Sequence, residues 1–249
     1  MTISSRLLLD IDPSDIEKLT KFLKDKYKYD FTNYALLSFE RRIQKILKDG
    51  NLSNVAELII KLDTTPEFVH DFIKNVTVNV TEMFRDPSFW YQMRKEIIPK
   101  YSTQEKPVKI WHIGCSSGEE VYSMIITLKE LGVARNLSVT ATDIDREVIK
   151  KAKTGKYPLK KLTLNNKNYL KSGGTKKFDD YITKDNRFYY INKEIKQHVC
   201  FHEHNLVSDN SNDIGLFDII LCRNVLIYFN QNLQNDVLKT IHQNLQLEG

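Results

Sequence analysis

The spacing of apolar positions changes character at about residue 106. Before it, apolar residues recur at helical intervals. Asp12-Pro13-Ser14 is a helix start with Pro in the first turn, followed by Ile16, Leu19, Phe22 and Leu23 on one face. A second helix is predicted from about Asn33 to Lys48, with Leu36, Phe39, Ile43, Ile46 and Leu47 on its apolar side and Gly50 as its stop. A third spans Ser53 to Leu62, and a fourth begins near Thr65-Pro66-Glu67. Asp86-Pro87 opens a further helix that buries Phe89, Trp90, Met93, Ile97 and Ile98.

After Lys106, strand and helix patterns alternate. Val108 to Ile113 is a β-run ending at Gly114; a helix follows from about Gly118 to Leu131, stopped by Gly132; Leu137 to Ala141 is a second strand leading to Asp143; and a helix is expected near Arg146 to Lys153. A strand, glycine loop, helix and strand in this order build a parallel sheet. Residues 165–198 interrupt the alternation with Gly173-Gly174 and two β-leaning runs, Phe178 to Ile182 and Phe188 to Ile191, joined by Lys184-Asp185-Asn186. They read as a small β insertion packed by its own aromatic rings. Strands resume at Val199 to His202 and Phe217 to Cys222, and a helix from about Gln231 to Leu245 turns Leu233, Val237, Leu238, Ile241 and Leu245 inward. The expected fold class is therefore α/β, with an N-terminal all-α module over residues 1–78 and a sheet domain over 79–249.

Composition removes several alternatives. No stretch approaches the roughly 18–20 apolar residues of a membrane span, and the apolar run near the N-terminus meets Asp10 at once, so neither membrane insertion nor a signal peptide is expected and the protein reads as cytoplasmic. Cys115, Cys200 and Cys222 form no CxxC pair, and reduced thiols are the expectation. Cys200, His202 and His204 alternate but lack a fourth ligand nearby in sequence, so no metal is expected. The net charge is +5, but the segment from Lys150 to Cys200 alone carries +10 and leaves −5 for the remainder. That segment is either a solvated face or a docking surface for an acidic partner. A second basic feature is Arg41, Lys45 and Lys48, at i, i+4 and i+7 on one face of the second helix.

The chemistry concentrates at Gly114-Cys-Ser-Ser-Gly118 and the two glutamates that follow it, Glu119 and Glu120. A glycine after a buried strand admits close backbone approach by a ligand, and the next helix offers free N–H groups. The loop lacks both the GxGxxG and the P-loop patterns, and acids stand where a pyrophosphate would sit. They suit a ligand carrying positive charge. Asp143, at the end of the second strand, is placed to accept from ribose hydroxyls, and it can also cap the helix at Arg146. A ribose acid without a phosphate grip points to S-adenosylmethionine.

Five motifs in order, Asn79-Val-Thr-Glu-Met-Phe-Arg-Asp86, Gly114-Cys-Ser-Ser-Gly-Glu-Glu120, Ala141-Thr-Asp-Ile-Asp145, Asn205-Leu206 and Phe217-Asp-Ile-Ile-Leu-Cys-Arg-Asn-Val-Leu-Ile-Tyr-Phe229, resemble the CheR family of chemotaxis receptor glutamate methyltransferases. The resemblance runs from the N-terminal helices to the end of the chain. It implies a class I, Rossmann-like methyltransferase domain and S-adenosylmethionine-dependent methyl esterification of glutamates on the cytoplasmic helical domain of chemoreceptors, with S-adenosylhomocysteine as product. It also implies roles for individual residues: Asn79, Thr81 and Arg85 as a cofactor-contacting cluster beside Gly114; Glu119 or Glu120 at the methionine ammonium; Asp143 at the ribose; Asn205 and Leu206 at the adenine; and Arg223 with Asn224 at the end of the fourth strand. Arg85 and Tyr228 resemble residues that handle the substrate carboxylate, and Arg41, Lys45 and Lys48 are the expected receptor-docking stripe.

Two features depart from the family. Its members continue past the last helix into further strands, whereas this sequence stops at Gly249, so the sheet is expected to lack its C-terminal strands and to keep about four. Receptor-tethered members carry a glycine-rich loop where this chain reads Lys184-Asp185-Asn186, which favours direct docking over peptide tethering. The rival readings are a noncatalytic cofactor-binding regulator and a nucleic-acid methyltransferase. Against the latter, the fourth strand ends in Arg-Asn-Val-Leu without the Pro-Pro loop of amino-methylating enzymes.

Overall fold

Capping and apolar spacing build the helices of the first segment largely where they are predicted. A computed structural model describes residues 11–77, 79–102, 106–133, 137–209 and 214–246. Asp12 caps α1 (Pro13–Tyr27) by accepting the Ser14 N–H at 2.8 Å. α2 (Leu36–Asp49) buries Phe39, Ile43, Ile46 and Leu47 and stops at Gly50. In α3 (Val55–Thr64), Asn54 accepts the Glu57 N–H at 3.0 Å and Glu57 returns to the Ser53 N–H at 2.8 Å, a reciprocal cap. α4 (Phe68–Val76) buries Val69, Phe72, Ile73 and Val76.

The chain divides into two compact units. The first joins these helices to segments 205–209 and 224–239. Phe31 centres its core, with ring centroids 5.4 Å from Phe39 and 6.3 Å from Phe72. The later segment is stitched on by a short antiparallel bridge, Tyr34 to Phe229, flanked by Ala35 N–H to Tyr228 C=O and Asn230 N–H to Asn33 C=O, both at 2.9 Å.

The second unit begins with α5 (Pro87–Gln92), which widens into a π-helical turn, Met93–Ile97, and then tightens into a 3-10 turn, Ile98–Tyr101. Then come β1 (Val108–Ile113), α6 (Glu119–Glu130), β2 (Leu137–Asp143), α7 (Arg146–Thr154), β3 (Lys156–Pro158), α8 (Leu162–Lys171), β4 (Ile182–Lys184), β5 (Phe188–Ile191), α9 (Lys193–Lys196), β6 (Val199–Glu203), β7 (Ile219–Leu221) and α10 (Gln231–Gln243). Four of the described strands form a parallel sheet in the order β6-β2-β1-β7, with Val108 opposite Leu137, Val139 opposite Val199 and Ile110 opposite Ile219. The order reverses beside β1, and the strand ends at such a reversal are where open α/β sheets bind ligands. After α10 the chain runs beside β7, where Phe217 N–H donates to Asn244 C=O and Gln246 N–H to Phe217 C=O, each at 2.9 Å.

The insertion differs from the expectation of a purely β element. Residues 162–171 are helical, and β4 and β5 pair in antiparallel fashion with each other and with β3, which the sequence reading left unassigned. Phe178, Tyr181 and Tyr189 are buried within it, whereas Phe188 and Tyr190 are only half-buried. In α10, Leu233 and Val237 are buried, but Leu238 is exposed, because the buried face is narrower than its apolar spacing suggests. Beneath α6, Arg94 pairs with Glu130 at 2.5 Å, and the Tyr181 hydroxyl donates to Glu130 at 2.8 Å, with Tyr169 also donating to it.

Candidate functional site

Three left-handed residues in five, Gly114 (φ 66°), Ser116 (φ 48°) and Gly118 (φ 89°), turn the chain sharply from β1 into α6. At Gly118 a Cβ would lie 3.1 Å from the Ala152 Cβ and 3.2 Å from Tyr122 Cε2, so both φ and space require glycine. The loop is tied to the end of β2: Cys115 N–H donates to Thr142 C=O at 2.9 Å, and Ser116 N–H donates to Asp143 Oδ2 at 2.8 Å. Asp143 Oδ1 accepts the Asp145 N–H at 3.0 Å. Burial pushes the Asp143 carboxyl up to about 6 against these hydrogen bonds, which favour its charged form. The cap of α7 is Asp145, not Asp143: Asp145 has the extended N-cap backbone and accepts the Glu147 and Val148 N–H groups at 2.8 and 3.3 Å.

The two glutamates of the first turn of α6 have different surroundings. The Glu119 side chain has no exposure; Oε2 accepts from Ser117 Oγ at 2.7 Å, Oε1 has no hydrogen-bond partner, and Lys161 Nζ lies 3.8 Å away. Burial raises its pKa. Glu120 is 18% exposed, and it meets His112 Nδ1 at 3.2 Å and Arg223 Nη1 at 2.8 Å. Burial pushes its pKa up, but His112 and Arg223 outweigh that and lower it overall. Glu120 is therefore partly open to solvent, whereas Glu119 is enclosed.

The segment 79–86 is fastened along its length. Asn79 Nδ2 donates to Asp145 Oδ2 at 2.9 Å, Thr81 C=O accepts from Lys161 Nζ at 3.2 Å, and Phe84 N–H donates to Ser123 Oγ at 2.8 Å. From α8, Asn165 Oδ1 accepts the Met83 N–H at 3.3 Å, and Asn168 Nδ2 donates to Glu82 Oε2 at 3.0 Å. Phe84 (φ 52°) and Asp86 (φ 55°) are left-handed non-glycine residues flanking Arg85, a strained backbone held by its neighbours. Arg85 Nη1 donates back to Val80 C=O at 2.9 Å, and Arg85 C=O accepts the Trp90 Nε1–H at 2.9 Å. Arg223, just beyond β7, bridges Glu120 to Asp86 Oδ2 at 2.8 Å, with its guanidinium 4.0 Å from the Phe89 ring centroid. Arg223 thus ties Glu120 to the segment that carries Arg85, Asp143 ties the loop after Gly114 to the end of β2, and Asn79 reaches Asp145 two residues on.

The remaining expected residues belong to the first unit. Asn205 is buried in a tight turn, its Oδ1 accepting the Val207 N–H at 3.1 Å, and Leu206 follows half-buried. Asn224 is exposed and left-handed, at φ 59°. Tyr228 is half-buried in a 3-10 turn, Leu226–Tyr228. Arg41, Lys45 and Lys48 are exposed along α2 and make no ion pair among the described residues. Sequence reasoning missed Asp145, Lys161, His112 and Asp86. Only Asp145 carried a readable signal, as the second acid of Asp143-Ile-Asp145 directly before a helix. Among the described residues, no group of three or more His, Cys, Asp or Glu side chains could hold a metal ion.

The arrangement fits an S-adenosylmethionine ligand. An ionised, partly open Glu120 suits an ammonium, Asp143 suits hydroxyl donors, and the glycine loop admits close backbone approach. Two family models cover almost the whole chain: "CheR methyltransferase, SAM binding domain" matches residues 79–249, and "CheR methyltransferase, all-alpha domain" matches residues 14–77. Among curated relatives, "Putative methyltransferase Cher3" of Pseudomonas putida is 34% identical over 94% of this chain and 85% of its own length. "Chemotaxis protein methyltransferase 2" of Pseudomonas aeruginosa is 30% identical over 84% of this chain and 73% of its own. A "Chemotaxis protein methyltransferase" of Listeria innocua is 28% identical over 94% and 88%.

Proposed function

The chain belongs to the CheR methyltransferase family and is S-adenosylmethionine-dependent, and we propose that it transfers the methyl group to glutamate side chains on the cytoplasmic helical domain of chemotaxis receptors. The observation that carries this reading is Arg85, held between two left-handed residues and bonded to Val80 C=O, in the segment that Arg223 ties to Glu120 through Asp86. A fixed cation suits orientation of an anionic substrate group.

When bound, S-adenosylmethionine supplies a methyl group on a positively charged sulfur. A glutamate, with a pKa of about 4.3, is already ionised at neutral pH and needs no general base. To a carboxylate oxygen of that glutamate the bound cofactor would supply its methyl, the electron pair of the S–CH3 bond staying with sulfur in S-adenosylhomocysteine. The protein's contribution is placement. Glu120, pre-oriented by His112 and Arg223, takes the ammonium; Asp143 takes the ribose hydroxyls; Asn79 and Thr81 line the cofactor; Asn205 and Leu206 serve its adenine side; and Asn224 follows Arg223 at the end of the fourth strand. Glu119 stays buried against Ser117, with Lys161 beside it. Arg85 orients one carboxylate oxygen, because a tighter grip would stabilise the ground state and slow transfer, and Tyr228 donates a hydrogen bond to the substrate. Arg41, Lys45 and Lys48 dock the acidic receptor helix. No helix of the described residues is long and apolar enough to cross a membrane.

The test is transfer of labelled methyl from S-adenosylmethionine to a receptor cytoplasmic fragment, followed by alkali. The expected result is label released as methanol, with Arg85→Ala reducing release at least tenfold. Alkali-stable label would mean N-methylation, and absence of transfer despite measurable cofactor binding would mean a regulator; either overturns the proposal.

A further inference from the structure

Within the first unit, Arg42 occupies a position that the reading so far leaves unused. It sits on α2 next to the exposed basic stripe, yet it is half-buried and its guanidinium is fixed from two sides. Nη1 donates to Val76 C=O at the end of α4 at 2.9 Å, and Nη2 donates to Ser38 Oγ, one turn back on α2, at 3.1 Å. The guanidinium carbon lies 4.6 Å from the centroid of the Tyr228 ring. Burial lowers the Arg42 pKa from 12.5, and it remains a cation at neutral pH. The backbone of Tyr228 is held as well: its C=O accepts the Ala35 N–H at 2.9 Å, its N–H donates to Val225 C=O at 3.1 Å, and the next residue forms the bridge to Tyr34. The Tyr34 and Phe229 rings meet edge to face at 5.1 Å. Among the described residues, the Tyr228 hydroxyl has no hydrogen-bond partner, so its ring is fixed while its donor is unused.

We infer that Arg42 is a positioning residue for Tyr228, its guanidinium holding the phenol ring so that the hydroxyl points where a substrate carboxylate is to be met. The inference rests on the role proposed above for Tyr228. A cation over an aromatic face is attracted by the ring quadrupole, and the two acceptors at Val76 and Ser38 prevent the guanidinium from following the ring if the ring swings.

The experiment is a double-mutant cycle on the full chain with a receptor cytoplasmic fragment as substrate. Arg42→Gln keeps an amide donor for Val76 and Ser38 but removes the cation; Arg42→Lys keeps the cation but loses the planar fork; Tyr228→Phe removes the hydroxyl. Methyl-ester formation gives kcat and the KM for S-adenosylmethionine, and thermal midpoints report folding. The expected result is that Arg42→Gln lowers kcat about tenfold with an unchanged cofactor KM, that Arg42→Lys recovers part of the loss, and that Arg42→Gln adds no further loss in the Tyr228→Phe background. Additive losses in the double variant, or an unchanged kcat in Arg42→Gln, overturn the positioning role while leaving Tyr228 in place. A Tyr228→Phe enzyme with unchanged kcat overturns the role of Tyr228 itself. If Arg42→Gln fails to fold, the same cycle run with Arg42→Lys decides by the same criterion of additivity.

Discussion

Asp143 accepts two backbone N–H groups at the end of β2, yet burial still lifts its pKa from 3.8 to about 6. A raised pKa in the folded state means that protonation stabilises the fold; this contribution is fully present below about pH 3.8 and is lost as pH rises through about 6. Cofactor binding should run the other way, because ribose hydroxyls donate best to an ionised carboxylate. Calorimetric affinity for S-adenosylmethionine should fall as pH drops below about 6, approaching tenfold per pH unit, while Asp143→Asn should bind weakly at every pH without that inflection. A wild-type affinity that is flat from pH 7 to 5 would contradict this role. At the same scale, sequence could not separate Glu119 from Glu120: adjacent helical residues point about 100° apart, and which one faces the ligand depends on what packs behind α6. Reading Asp143 as a cap for α7, where Asp145 caps it, failed for a related reason. A cap needs an extended backbone at that residue, and only the folded loop supplies it.

The elements that were legible in sequence are those with a strong apolar period. β1 matches its predicted bounds, and α1, α2, α6, α7 and α10 lie within a few residues of theirs. α8 was illegible because its buried side is polar: Asn165 and Asn168 face inward with Tyr169, so no apolar repeat marks the helix. Both asparagines are committed to segment 79–86, and Asn165 Nδ2 also donates to the Tyr189 hydroxyl at 2.6 Å. β3 was missed because three residues ending in proline give too little alternation to read. The chemistry hidden in α8 makes a prediction at this scale. Asn165→Ala strands the buried Met83 N–H and removes the donor to the Tyr189 hydroxyl, at a cost of about 1–3 kcal/mol. Denaturant titration should show that loss, and cofactor affinity should weaken because the Arg85 segment is freed. Unchanged stability with unchanged affinity would mean that α8 does not support the loop.

For the molecule as a whole, the +5 net charge is a poor guide to its partner, since what matters is which cations remain available. The Lys150–Cys200 segment holds the excess, but part of it is engaged locally: Lys150 pairs with Glu147 and Lys184 with Asp179, Lys156 lies 4.0 Å from the Phe188 ring centroid, and Lys161 reaches Thr81 C=O. On α2, in contrast, Arg41, Lys45 and Lys48 are exposed in one row without ion pairs among the described residues, and α2 also carries the exposed Leu37 one turn before Arg41. A row of cations at helical spacing, with an exposed leucine at one end, is the surface that the proposed docking of an acidic helix would use. Reversing the row with Arg41→Glu, Lys45→Glu and Lys48→Glu changes the local charge by six units and sets like charges against the partner. Because exposed charges interact over roughly 8–10 Å at physiological salt, receptor methylation at low substrate concentration should fall by an order of magnitude or more, and wild-type turnover should itself decline as salt rises from about 50 to 300 mM. Calorimetric S-adenosylmethionine affinity should stay unchanged, since these side chains belong to the helical unit and Asp143 and Glu120 to the other. Turnover indifferent to both the reversal and the salt would shift the docking role to the Lys150–Cys200 segment.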